Sequence, residues 1–284
     1  MTKKEHFAIW RNAYKNTFTL NSTLAAAGLA YFAFFSFFPL ILLIVALASR
    51  WFDPLWVENE LITQLEFVIP GISRLLGDNL VQVIQARRSI TTSASLILIW
   101  SGSTLFSIIA RVLDTIWNGQ DVRSNIRYRG LALLFVGGFS LVVLPVLFIG
   151  TWAAPLIKEL LPDISNLFFL NFGFLTSILV STVLFGLLYY FLPHSGPTWR
   201  DIWIGAIAAG LLWEIAKRFF VSYTARFLST SNLIYGSVST IIAFLMWVYF
   251  SGLIFFFGAY LGVGYSRKRK ELAAETEQEP VSET

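Results

Sequence analysis

The sequence contains no cysteine, and its only histidines are His6 and His194. The lack of cysteine excludes disulfide bonds and thiolate metal sites, and two histidines so far apart do not form a structural zinc site. We therefore predict that the chain binds no metal and carries no cofactor. Charged side chains are scarce as well, at 13% of the residues against about 25% in soluble domains, which argues against a water-soluble fold.

Apolar side chains are correspondingly abundant and make up 56% of the 284 residues. A water-soluble protein of this size could not hide so much apolar surface, because much of its exterior must face water. A membrane-spanning helix needs about 20 mainly apolar residues. Stretches of that length or longer without Asp, Glu, Lys or Arg occur at 16–49, 89–110, 130–157, 164–199 and 227–266. These runs predict an all-α integral membrane protein.

The apolar runs also predict the order of segments along the chain. We expect six transmembrane helices, at about 24–48, 90–110, 131–154, 168–191, 202–222 and 238–264. Between the first two, residues 52–88 carry apolar side chains at three- and four-residue spacing, which predicts amphipathic helices that lie in the membrane interface or cap the bundle. The six-span domain then covers 21–266, after an N-terminal segment at 1–20. Residues 267–284, which begin with Arg-Lys-Arg-Lys and are acidic after it, are expected to be a disordered cytoplasmic tail.

The distribution of Lys and Arg predicts the orientation of the chain in the membrane. Six spans place both termini on one side, together with the 111–130 loop and the 192–201 turn. That side holds 13 of the 21 basic residues, so we expect it to be the cytoplasm and both termini to be cytoplasmic.

The predicted fifth span is unusual because it contains Glu214, Lys217 and Arg218. One charge at the centre of a span costs about 2.5–3.5 kcal/mol. Spacings of three and four residues place the acid on one helix face with both bases, which reduces that cost. Either these side chains, with Arg226, line a polar cavity that suits an anionic headgroup, or the basic ones extend from a helix end to the interface.

Other charged and small residues mark helix ends and packing faces. Arg111 and Asp114, three residues apart, predict a charge pair at the end of the second span, and Asp201 is expected to cap the N-terminus of the fifth helix. Close helix packing is predicted at two pairs of small residues with four-residue spacing, Ala206 with Gly210 and Gly258 with Gly262. These pairs allow a homo-oligomer but do not indicate one.

Two stretches resemble the YihY/BrkB family of bacterial membrane proteins, and the resemblance extends over the chain up to the acidic tail. The first is AAAGLAYFAFFSFFPLILLIVAL at 25–47. The second, at 211–261, contains Trp213-Glu214, Lys217, the Tyr235-Gly236-Ser237 turn and Trp247-x-Tyr249. The resemblance implies six spans in the bacterial cell inner membrane with both ends in the cytoplasm. It also makes Tyr235 a candidate site residue beside Glu214 and Lys217.

The resemblance leaves the activity open, because some family members were formerly labelled ribonuclease BN and others are called virulence factors or suspected transporters. Metal-dependent RNA hydrolysis needs carboxylates or imidazoles that converge on metal ions, and this sequence shows no such cluster. We therefore expect that the protein has no nuclease activity, binds no nucleic acid and is not an enzyme. The leading hypothesis is a transporter or translocase for an anionic or lipid-like solute, with the lipid bilayer and anionic lipid headgroups as partners. The alternative is a non-transporting envelope scaffold or assembly protein.

Overall fold

The computed structural model describes residues 2–48, 87–118, 162–193, 197–235 and 237–278, in which all regular secondary structure is α-helical. This confirms the all-α prediction for that part of the chain. In chain order the described helices are α1 (Lys3–Thr17), α2 (Leu20–Ala48), α3 (Arg87–Asn118), α4 (Pro162–Phe191), α5 (Trp199–Tyr235) and α6 (Ser237–Gln278).

Three of these helices contain a segment that is long and apolar enough to cross a membrane. The segments are Leu20–Phe37 in α2, Leu96–Trp117 in α3 and Ile241–Glu275 in α6, and α4 contributes a shorter apolar segment, Ser177–Phe191. The predicted span at 131–154 lies outside the described residues. So do the predicted interfacial helices at 52–88, except for the first two residues of α3. Six crossings therefore remain a prediction.

Helix α6 is the centre of the described bundle. It packs against α1, α2, α3 and α5, while α2 also pairs with α3, and α4 with α5. The buried core consists mostly of small and aromatic side chains, among them Ala26, Ala206, Ala209, Phe255 and Phe256. Large apolar side chains cover much of the outside, including Leu96, Trp100, Leu179, Phe219 and Phe250. Such a surface suits a lipid environment, in which close packing holds helices together.

Glycine allows the closest approach between α5 and α6. A Cβ atom built on Gly205 would lie 2.2 Å from the carbonyl oxygen of Gly258 and 3.2 Å from the backbone nitrogen of Gly262. On the other side of α5, a Cβ on Gly210 would lie 2.4 Å from Oγ1 of Thr182 in α4. The predicted small-residue pairs therefore pack helices of the same chain against one another.

The C-terminal part of α6 is longer than we predicted. Residues 267–278, expected to be disordered, continue the helix to Gln278. Arg267 donates through Nη2 to the carbonyl oxygen of Ile116 at 3.3 Å, and Nζ of Lys268 lies 3.4 Å from a carboxylate oxygen of Glu5. These contacts with α3 and α1 stabilise the segment as a helix, and an acidic composition alone does not reveal them.

Asp201 stabilises the start of α5 from the first turn and not from the capping position we expected. Its carboxylate accepts hydrogen bonds from the backbone N–H of Thr198 at 3.1 Å and from Oγ1 of Thr198 at 2.7 Å, and it is paired with Arg269. Thr198 directly precedes the helix, so Asp201 reaches back as the acidic member of a capping box does. Burial raises the pKa of Asp201, but hydrogen bonds from Thr198 and Ser266 and the charge of Arg269 outweigh burial and lower it.

We expect Asp201 to make the stability of the protein depend on acid pH. Because its pKa is lower in the folded state, its contribution is complete above the unfolded pKa of about 3.9 and disappears as the pH falls through the folded pKa. At neutral pH, the Asp201→Asn variant should therefore have a lower melting temperature than the parent. On acidification its melting temperature should fall less than that of the parent. Thermal unfolding in detergent across this range checks the prediction, and parallel curves for the two proteins would contradict it.

Candidate functional site

Glu214 and Lys217 form an ion pair inside the bundle. Nζ of Lys217 lies 2.8 Å from Oε1 of Glu214, and their side chains are only 11% and 6% exposed, respectively. The three-residue spacing on α5 brings the two charges to one helix face, as the sequence predicted. Because both groups are buried, water screens their attraction little, and each charge depends on its partner.

Two serines of α4 complete the cluster around this pair. Ser181 donates a hydrogen bond from Oγ to Oε1 of Glu214 at 2.7 Å, and Lys217 donates from Nζ to Oγ of Ser177 at 3.1 Å. Ser177 and Ser181 are four residues apart and therefore share one face of α4. We call these four residues, Ser177, Ser181, Glu214 and Lys217, the polar cluster.

The polar cluster belongs to a longer antiparallel seam between α4 and α5. Along the seam, Gly186 of α4 faces Ala206 of α5, Thr182 faces Gly210, and the polar cluster follows. A groove of about 230 Å³ lies along the same seam, lined by Thr182, Val183, Gly186, Leu187, Trp199, Ile202, Trp203 and Ala206. Its lining is almost entirely apolar. The seam therefore contains an apolar groove and, about two helical turns further along α5, a buried pair of charges.

The remaining predicted residues of this site are Arg218, Arg226 and Tyr235. Arg218 and Arg226 lie on α5 but are exposed, whereas Glu214 and Lys217 are buried. Arg218 follows Lys217 by about 100° around the helix, and this rotation carries it from the buried side of α5 to the exposed side. Tyr235 ends α5, and its side chain lies outside the described part of the structure.

The second predicted charge pair lies near the C-terminal end of α3. Asp114 is buried at 1% exposure, and Arg111, one helical turn earlier, is exposed. Arg267 of α6 reaches the backbone of this end of α3 through the carbonyl oxygen of Ile116. Asp114 is thus a third buried carboxylate beside Glu214 and Asp201, at the end of the bundle where α6 contacts α3.

The described residues contain no group of three or more His, Asp or Glu side chains that could hold a metal ion. The polar cluster holds one carboxylate and one ammonium, and an ammonium repels a cation. Its chemistry instead suits an anion that binds Lys217 in place of Glu214. Phosphate and carboxylate groups are the common anions that pair with ammonium and guanidinium groups in proteins.

Sequence reasoning did not find Ser177 and Ser181. They form a Ser-x-x-x-Ser pair in an otherwise apolar run, and this spacing on one helix face was the available signal. What the sequence does not contain is the register between α4 and α5, which decides that these serines face Glu214 and Lys217.

Comparison with known proteins identifies the family. A family model described as virulence factor BrkB matches residues 13–283, nearly the whole chain. The chain belongs to the BrkB family. Two similar proteins are UPF0761 membrane proteins, one from Klebsiella pneumoniae and one, YihY, from Shigella sonnei. Each is 28% identical to this chain and covers 74% of it, and the chain covers 72% of each relative. The resemblance to the YihY/BrkB family is therefore confirmed.

Other relatives of this BrkB-family protein are longer than the region they share with it. A UPF0761 membrane protein of Ralstonia nicotianae is 40% identical over 85 residues, which are 30% of this chain and 19% of the relative. One from Azotobacter vinelandii is 28% identical over 92% of this chain, which spans 64% of that relative's length. No solved structure matches the chain. These relatives are named as membrane proteins, which agrees with the apolar helices of this one.

Proposed function

We propose that this BrkB-family protein translocates an anionic or lipid-like solute across the bacterial inner membrane. The observation that carries the proposal is the buried Glu214–Lys217 pair, bonded to Ser181 and Ser177 of the neighbouring helix. Polar and ionised side chains within membrane segments are rare and mark solute pathways. Replacing a buried ion pair by apolar residues of similar volume is often neutral or stabilising, so packing alone does not require the pair.

The proposed mechanism is an exchange of partners at Lys217. A phosphate or carboxylate that enters the α4–α5 seam displaces the carboxylate of Glu214 from the ammonium group, and Glu214 pairs with Lys217 again when the solute leaves. The hydroxyl groups of Ser177 and Ser181 provide hydrogen bonds during the exchange. The apolar groove beside Trp203 and Leu187 would hold an acyl chain while the headgroup occupies the polar cluster.

We also propose six crossings with both termini in the cytoplasm. The packing of α1 against the C-terminal part of α6 supports a common side for the two ends, because His6 and Tyr265 are joined by a 2.8 Å hydrogen bond. Arg267, Lys268 and Arg269 lie at this end of the bundle, and the basic side of a membrane protein faces the cytoplasm.

A reconstituted lipid-translocation assay tests the proposal. Vesicles containing the purified protein and phosphatidylglycerol with a fluorescent NBD headgroup label are treated with dithionite, which bleaches only probe that reaches the outer leaflet. We expect the parent protein to expose the inner-leaflet probe. We expect Lys217→Met to slow this step by about ten- to a hundredfold, because the variant loses a hydrogen bond between the ammonium group and the headgroup, and a bond to a charged group contributes about that much.

The control for this assay is Lys270→Gln, which removes one positive charge from an exposed position near the C-terminal end of α6. It should translocate the probe at the parental rate. If the parent protein leaves the inner-leaflet probe protected, and a water-soluble anion such as a labelled carboxylate is also not moved, the scaffold alternative replaces the transport proposal.

A further inference from the structure

Helix α1 presents a row of aromatic side chains to its surroundings. Phe7, Trp10 and Tyr14, and Phe18 directly after the helix, are 70%, 44%, 60% and 53% exposed, respectively. They are spaced by three or four residues and therefore lie along one face. An aromatic row of this size is uncommon on a surface in contact with water and typical of one that meets a partner or a membrane.

The side of α1 that adjoins the aromatic row at Trp10 is fixed to the bundle, so the row has a defined direction. Ala13 is buried, and Ile9 packs so closely on α6 that its Cγ2 would lie 2.8 Å from a Cβ built on Gly264. Tyr265 of α6 is bonded to His6 and accepts a hydrogen bond from Nε1 of Trp10 at 3.3 Å. The contacts between α1 and α6 therefore fix the direction in which the aromatic row faces.

The basic and acidic side chains of α1 lie on different faces of the helix. Lys4, Arg11 and Lys15 are exposed and lie along one edge of the row at helical spacing. Glu5 is the one acidic residue of the helix, and it lies on another face, where Lys268 pairs with it at 3.4 Å. Next to the aromatic side chains, α1 therefore presents positive charge without negative charge.

The aromatic row continues into exposed apolar side chains of α2, which suit a lipid environment. Leu20 and Leu24, at the start of α2, are 72% and 61% exposed, and Tyr31 and Phe35 follow on the same helix at 52% and 41%. Residues Leu20–Phe37 form one of the candidate membrane-crossing segments. The chain thus passes from α1 into a helix with many exposed apolar side chains.

We propose that α1 is a membrane-interface helix that binds an anionic lipid surface. Its aromatic row lies at the boundary of headgroups and acyl chains, and Lys4, Arg11 and Lys15 pair with lipid phosphates. Aromatic side chains with a polar edge concentrate at this depth, and basic side chains beside them favour anionic leaflets. This proposal does not depend on the translocation proposal, because it concerns different residues and requires no movement of lipid.

The absence of cysteine in the sequence allows a direct test with single labels on the full-length protein. A fluorophore is attached to Phe7→Cys, Tyr14→Cys or Asn12→Cys, where Asn12 is exposed on the side of α1 opposite the aromatic row. Each protein is reconstituted in vesicles that contain brominated phosphatidylcholine or brominated phosphatidylglycerol. Bromine quenches a fluorophore that touches the acyl chains.

We expect strong quenching of the labels on Phe7→Cys and Tyr14→Cys, and little quenching on Asn12→Cys. Equal quenching at the three positions, or protection of Tyr14→Cys from both lipids by a protein partner or a second copy of the chain, would overturn the proposal. The preference for phosphatidylglycerol over phosphatidylcholine at Tyr14→Cys should fall about fivefold with Arg11→Gln, since one basic side chain contributes that much at an anionic surface. The charge-matched Lys270→Gln should leave the preference unchanged; an equal fall with both variants also overturns the proposal.

Discussion

Lys217→Met lowers the free energy of unfolding by about 3–5 kcal/mol, because it leaves the buried carboxylate of Glu214 without its cation. The hydrogen bond from Ser181 remains but does not neutralise the charge. Equilibrium unfolding of the purified protein by dodecyl sulfate in mixed micelles measures the loss. A loss below about 1 kcal/mol would mean that the pair is exposed to water, since exposed pairs contribute no more than that.

Removing both charges should restore most of this stability. The double variant with Glu214→Gln and Lys217→Met leaves no uncompensated charge, and its stability should lie within about 1 kcal/mol of the parent. Arg218→Gln is the matched control on the same helix, because Arg218 is the next residue but is exposed. We expect it to change stability by less than about 0.5 kcal/mol.

Gly205→Val has the other large expected effect, a loss of more than about 3 kcal/mol or failure to fold. A Cβ on Gly205 would lie 2.2 Å from the carbonyl oxygen of Gly258, and backbone atoms cannot rotate away as a side chain can. Helices α5 and α6 would therefore have to separate. The variant should be recovered in low yield as monodisperse protein, and the mixed-micelle titration quantifies what folds.

Gly102→Ala is the control for the glycine experiment. A Cβ on Gly102 in α3 meets nothing within 4 Å, and alanine is favoured over glycine within a helix by about 1 kcal/mol. This variant should therefore be as stable as the parent or slightly more stable. If Gly205→Val behaved in the same way, the close contact of α5 with α6 would not exist in the folded protein.

Apolar patterning predicted the helical class and the approximate position of α2, α3, α4 and α6, because a lipid-embedded helix needs an uninterrupted apolar run. The extent of α5 was not predictable in this way. We expected a span at 202–222, yet the helix runs over Trp199–Tyr235. Charged residues shorten an apolar run but do not end a helix, and here Lys217 is neutralised by Glu214 one turn away.

The composition of the polar cluster was predictable only in part. The spacing of Glu214 and Lys217 predicted their pairing, and the structure contains it. Arg218 was grouped with them because it follows Glu214 by four residues, but its exposure depends on which face of α5 meets α4. Such a choice of face, like the register that brings Ser177 to Lys217, is a property of helix packing that one sequence does not contain.

The translocation rate of the double variant with Glu214→Gln and Lys217→Met tests the central claim most directly. This protein should be about as stable as the parent, so a change in rate reports the lost charges and not a lost fold. If Lys217 exchanges Glu214 for an anionic headgroup, the variant should leave labelled phosphatidylglycerol in the inner leaflet protected from dithionite. Translocation at the parental rate by this variant, which lacks both charges of the pair, would contradict the account.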